Sequence, residues 1–83
     1  MPRYFVDFTH NDTEIVDTVG QVLDSELAAR REAVKALAEI SAEEIPRDGP
    51  LLLTATVFNE SRKTIFVCSV RFDFEVSHAQ DGG

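Results

Sequence analysis

Only one stretch of this chain has the pattern of a long helix, and that fact limits the fold more than any other. The stretch is residues 24–45, DSELAARREAVKALAEISAEEI. At about 100° per residue, Leu27, Ala33, Val34, Leu37, Ala38, Ile40, Ser41 and Ile45 share one arc. Arg31, Glu32, Lys35, Glu39 and Glu43 share the opposite arc. The spacing predicts a helix with one buried and one wet side. Asp24 or Ser25 is the expected N-cap, since a short side-chain oxygen can accept the free amides of the first turn. Glu26 adds negative charge where the helix dipole favours it. Pro46 and Asp48-Gly49-Pro50 stop the helix. The small residues Ala33, Ala38 and Ser41 allow close approach to a sheet. Arg30 interrupts the apolar arc. Its stem is expected along the core edge, with its head in water or paired with Glu26 one turn earlier. The sharper alternative is an ion pair with Asp7 or Asp17.

The rest of the chain reads as strands and turns. In RYFVDFT, residues 3–9, Tyr4, Val6 and Phe8 share one face. His10-Asn11-Asp12 reads as a turn. Residues 14–17 then return as a short partner of the first strand. Gly20 is expected at a positive φ, and Val22 and Leu23 lead into the helix.

After the helix, LLLTATVF (51–58) and TIFVCSVRFDFEV (64–76) form a hairpin. Phe66, Cys68, Val70, Phe72, Phe74 and Val76 fall on one face of the second strand. A slip of one residue would turn every side chain over, so the register can be argued. Pairing Val57 with Phe66, Ala55 with Cys68, Leu53 with Val70 and Leu51 with Phe72 keeps all eight apolar residues together. That register implies a loop with an even number of residues. It also leaves residues 73–76 beyond the partner strand, to meet the first strand or a second copy.

The predicted architecture is α+β. Its elements run β-β-α-β-β, forming a four-stranded, mainly antiparallel sheet with one helix on one face. Residues 1–76 make one domain and residues 77–83 a loose tail. One helix cannot cover both sides of a sheet. The uncovered side would carry Phe5, Leu52, Phe58, Ile65 and Val67, with Thr54 and Thr56 between them. That apolar patch is the expected interface of a homo-oligomer.

Composition narrows the partners. The 83 residues hold 15 acids and 8 bases, a net charge of −7, and the bases are scattered. Such a field disfavours nucleic acid and anionic membranes, and permits a basic protein as partner. Cys68 is the one cysteine, so no intrachain disulfide can form. With no secretory signal pattern and no long apolar run, a cytoplasmic location is expected.

No catalytic constellation stands out. No glycine-rich phosphate loop is present, and His10 and His78 lie at opposite ends of the chain. Those histidines with Asp12 and Cys68 make a poor zinc set, because Cys68 falls on the core face and acts there as a small hydrophobe. Asp7, Asp12, Glu14 and Asp17 cluster around the first hairpin and read as a solvated acidic surface rather than a cation site. No catalytic, cofactor-binding or metal-binding residue is assigned, and no enzyme activity is expected.

The opening MPRYFVDF, the Asp17-x-x-Gly20 turn and the helix AARREAVKALAEI resemble a family of small proteobacterial proteins with a domain of unknown function. Its members begin Met-Pro-Arg-Tyr-Phe-Phe-Asp. The closing aromatic-x-aromatic-Glu-Val also fits, whereas His10-Asn11-Asp12-Thr13 replaces a glycine-containing turn. The resemblance implies no catalytic residue. A looser likeness links the chain to antitoxins of the HicB type, which neutralise a small basic toxin. Those place three strands before the helix, where two are read here. The combined expectation is a small non-catalytic interaction domain that self-associates; an acidic, antitoxin-like partner of a basic protein is the alternative.

Overall fold

The computed structural model describes residues 1–47 and 49–77. In chain order the elements are β1 (Arg3–His10), β2 (Thr13–Ile15), β3 (Gln21–Val22), α1 (Glu26–Glu44), β4 (Leu51–Phe58) and β5 (Thr64–Phe72). The sheet runs β2-β1-β4-β5, with β3 also paired to β1, and every pairing is antiparallel. The α+β class and the helix-on-sheet arrangement hold. The strand count does not: β3 is a fifth strand, pairing Arg3 with Val22 and Tyr4 with Gln21. Two residues carry no readable period, and only the turn at Gly20 brings them beside β1. Most of the tail expected at 77–83 lies outside the described residues.

The helix starts where the capping chemistry requires. Ser25 is the N-cap, and its hydroxyl oxygen accepts the Ala28 amide at 3.1 Å. At the other end the Ile45 amide donates to the Ser41 carbonyl, and Pro46 follows. The buried row is Ala29, Ala33, Leu37 and Ser41, spaced four residues apart. The expected stripe must therefore be turned by about 40° at ~100° per residue. Leu27, Val34 and Ala38, expected inside, are exposed. The cause is size: Ala29 and Ala33 are 0% and 1% exposed, and their short side chains let the helix backbone sit close to the sheet. Arg30 thereby becomes a shoulder residue. Its guanidinium lies 5.6 Å from the centre of the Phe66 ring, covering the core edge.

Under the helix, Leu51, Leu53, Ala55 and Val57 of β4 are all buried, while their neighbours on the strand are exposed or half-buried. Tyr4 completes the core, with Val6, Phe8, Phe66, Cys68, Val70 and Phe72 packed around it. The four β4–β5 pairs argued from the apolar pattern are the ones observed. The connecting segment, however, has five residues, Asn59 to Lys63, rather than an even number. A bulge after Val57 reconciles the two, because Phe58 pairs with Thr64 and Ile65 is the extra residue. Ile65 is thereby drawn toward the core margin. At the far end β5 stops at Phe72, so Phe74 and Val76, expected on the core face, are exposed.

The close fit of helix to sheet has a measurable consequence. Enlarging Ala55, which is fully buried in β4, to Leu forces the layers apart. The expected loss is about 1–3 kcal/mol of unfolding free energy. Val34→Ala, on the exposed flank, is expected to cost no more than about 0.5 kcal/mol. Urea midpoints for the two variants test this, and equal midpoints would contradict the packing described.

Candidate interaction site

The outer edge of β1 is closed by a side-chain clasp. Between its pairings with β2 and β3, β1 leaves a gap around Val6 and Asp7. Asp17 fills it. One carboxylate oxygen accepts the Val6 amide at 3.1 Å, and the other accepts the amides of Val19 at 3.0 Å and Gly20 at 2.9 Å. Asp7 Oδ1 accepts the Asp17 amide in return, at 2.9 Å. Gly20 stands at φ +75°, and a Cβ there would lie 2.8 Å from the Tyr4 carbonyl oxygen. Only glycine closes this turn without displacing β1. Burial raises the affinity of Asp17 for a proton, but the amides of Gly20, Val6 and Val19 and the charge of Arg62 outweigh it. The carboxyl is held below its ordinary value.

Arg62 reaches this clasp from the β4–β5 loop. It sits at φ +60°, the left-handed position of a short hairpin loop that glycine usually occupies. Asn59 fixes that loop: its carbonyl accepts the Arg62 amide, and its side-chain oxygen accepts the amides of Ser61 and Lys63. The guanidinium then spans the helix-free face. Its centre lies 4.5 Å from the Phe58 ring and 4.9 Å from the Phe5 ring. Its nitrogens come within 3.5 Å of Asp7 Oδ2 and 3.4 Å of the Asp17 carbonyl. The arginine that meets Asp7 and Asp17 is thus Arg62, not Arg30.

The helix-free face is consequently dressed on one half only. Phe5 and Phe58 are half-buried beneath Arg62, and Ile65 is drawn toward the core. Leu52 and Val67, on the β4–β5 half, are exposed at 38% and 56%. Leu27 and Val34 stand exposed on the helix flank that holds Arg30 over β5, and Phe74 and Val76 are exposed just past the end of β5. One body of exposed apolar surface therefore lies on the β5 side.

On the opposite side, an open groove of about 480 Å³ lies between the helix and β1. Val6, Phe8 and Leu23 line it with Ala33 and Ala36 of the helix, and the Asp17–Gly20 turn forms its outer wall. Ile15, Val16 and Val19 make an exposed apolar rim. Asp17 and Glu32 are its only charged lining residues. The groove can seat an apolar side chain, and among the described residues its lining includes no thiol or imidazole.

Among the described residues no three His, Cys, Asp or Glu side chains converge as a metal site. His10 is engaged with Glu44 at 3.1 Å, tying the end of β1 to the last turn of the helix, and Arg47 approaches the same carboxylate. His78 lies outside the described residues. Burial pushes the Cys68 thiol up, away from the nucleophilic form. No helix among the described residues is long and apolar enough to cross a membrane.

Fold and site define a one-helix α+β domain whose short acidic turn is clasped onto its first strand. The family described as Domain of unknown function (DUF6894) matches residues 3–71, most of the chain, and the protein belongs to it. No curated protein and no solved structure matches the chain. The residues that carry the resemblance noted in the sequence lie together here. Arg3, Tyr4 and Phe5 border the site of Gly20, Asp7 holds the backbone of Asp17, and Asp17 holds the Gly20 amide. Sequence reasoning missed Arg62 and β3. The Asn59 three residues before Arg62 was the one signal for the tight loop that aims the arginine.

Two tests follow from the clasp. The folded Asp17 carboxyl binds its proton only below the unfolded reference value of 3.8. Its stabilisation is therefore complete above that value and lost as pH falls through the lowered folded one. Asp17→Asn is expected to destabilise the protein at neutral pH, by about 1–3 kcal/mol for the lost amide acceptor. It should also flatten the fall in stability on acidification, read from urea midpoints between neutral pH and pH values below 3.8. For Arg62 the left-handed backbone separates two variants. Arg62→Ala loses the contacts and keeps the strain, whereas Arg62→Gly loses the contacts and relieves about 1 kcal/mol of strain. Thermal denaturation should place the glycine variant above the alanine variant; the reverse order would contradict the conformation assigned to Arg62.

Proposed function

We propose that this protein is a small non-catalytic interaction domain that associates with a second copy of itself. The observation that carries this reading is the one-sided cover of the sheet. Of the expected interface residues, Phe5 and Phe58 lie beneath Arg62, Ile65 is drawn toward the core at the bulge, and Leu52 and Val67 are left open. A chain this short buries only about two-thirds of its unfolded surface, so covering further apolar area is a substantial gain. Val67, on the outermost strand, would lie nearest the second copy, with Leu52 on the next strand in continuing the apolar surface.

The second reading, an acidic partner for a small basic protein, is favoured by the net charge of −7 and by Glu32, Glu39 and Glu43, which stand exposed on the helix. One experiment separates the two. Light scattering on the purified chain over a range of concentrations is expected to give twice the mass of one chain, and Val67→Asp to lower it. A single-chain mass at every concentration would overturn self-association. A stoichiometric basic protein co-purifying from the native cell would then favour the second reading.

A further inference from the structure

The two sides of the sheet end differently. Beyond β1 lie only the short strands β2 and β3 and, between them, the Asp17 clasp, which together cover the β1 backbone. Among the described residues β5 pairs only with β4, so the other face of its backbone is an open edge nine residues long. An open edge exposes alternate N–H and C=O groups that template another strand, and exposed edges are normally blunted by charge, proline, a short length or a bulge; here the bulge at Ile65 lies at one end and leaves Phe66 to Phe72 regular. Within β5 the only charged residue is Arg71, there is no proline, and six of the nine residues are apolar.

We infer that two copies join edge to edge along antiparallel β5 strands, with Cys68 on the two-fold axis. This rests on the self-association proposed above and names its seam. Three observations set the arrangement. First, overlap of the regular part of the strand with its own copy pairs Phe66 with Val70 and places Cys68 opposite Cys68, with the Ile65 bulge near each end of the seam. Second, the strand is polar in charge along its length: Lys63 precedes it, and Asp73 and Glu75 follow it. Antiparallel pairing in this register sets Lys63 beside Asp73 of the second copy, twice, whereas a parallel arrangement would set like beside like. A chain of net charge −7 repels its copy on close approach, so local opposite charge favours a seam between copies. Third, the helix flank on this side of the sheet carries the exposed Leu27 and Val34 among Arg30, Arg31 and Lys35, and the helix-free side carries Val67. Pairing at the edge brings both sets toward their counterparts, with the two Val67 side chains as diagonal neighbours across the seam.

Charge exchange tests the seam without disturbing the fold, since Lys63 and Asp73 are both exposed. Lys63→Glu and Asp73→Lys each place two like-charged pairs across it. Each is expected to weaken dimerisation on the order of tenfold in sedimentation equilibrium. The double variant restores two opposite pairs and is expected to recover most of the loss, with unchanged circular dichroism throughout. Failure of the double variant to recover would overturn this register. If both single variants dimerise like the parent while Val67→Asp does not, the copies meet face to face. The seam then falls and the self-association reading stands. A parent chain that stays single at every concentration removes both.

Discussion

The carboxylate of Asp17 is the interaction on which the rest of the structure leans. It accepts three backbone amides, two from its own turn and one from β1. The Val6 amide lies in the part of the β1 edge that no strand pairs with. An unpaired strand edge has amides that must find water or an acceptor, and a side-chain carboxylate supplies one at charge-assisted strength. Because the same residue holds the turn closed at Gly20, it also decides that the next two residues run back beside β1 as β3. The chain then enters the helix from a fixed point, with the Leu23 amide bonded to the Pro2 carbonyl. Arg62 adds a cover from the far hairpin, so the clasp links the first and last strands of the sheet, which are far apart in sequence.

Where the helix settles follows from what the clasp leaves open. Small residues at Ala29 and Ala33 let it press onto β4 and β5, and Leu37 supplies the one large buried side chain of the row. A helix set over those strands cannot also cover the outer half of β1. The groove lined by Val6 and Phe8 is the space that remains, with the Asp17 turn as its wall. Groove and clasp are therefore one construction. The turn that satisfies the strand edge also bounds a cleft whose apolar floor is the unfilled margin of the core.

Much of this was legible in the sequence, and the parts that were not have physical reasons. The faces of β1, β4 and β5 could be read because alternation has an unambiguous period, and the β4–β5 register because a slip would put Thr54 and Thr56 inside. The α+β class followed from a single helical period among strand periods. The helix stripe was misplaced by less than one residue step, because Leu27 and Val34 are more apolar than the alanines that are buried instead. Hydrophobicity ranks side chains, whereas close packing on a sheet here selects small ones. The loop length was read as even because a bulge at Ile65 leaves no trace in composition. Arg62 was invisible as a site residue because its role depends on a left-handed backbone angle that arginine seldom adopts. Asp17 and Gly20 were visible as a turn, but not as the closure of a strand edge. That requires knowing which amides of β1 lack partners.

The contrast between the two sheet edges bears on why so acidic a chain would carry so apolar a last strand. With a Debye length of about 8 Å at physiological salt, the repulsion from net charge is screened at longer range and acts only as copies come close. At contact, local pattern decides. On the β1 side the pattern is closed: amides are bonded, rings lie beneath a guanidinium, and acids are engaged with their own turn. On the β5 side it is open, with a bare edge, a lysine at one end and acids at the other. If insolubility were the only risk, acidity would suffice to prevent it and the β1 edge would need no clasp. An edge sealed by a dedicated carboxylate, beside one left free, fits a chain whose pairing is directed to one side. In the proposed dimer the β1 side would also cap growth, since a sheet with two open edges can extend without limit, whereas one open edge per copy closes after two.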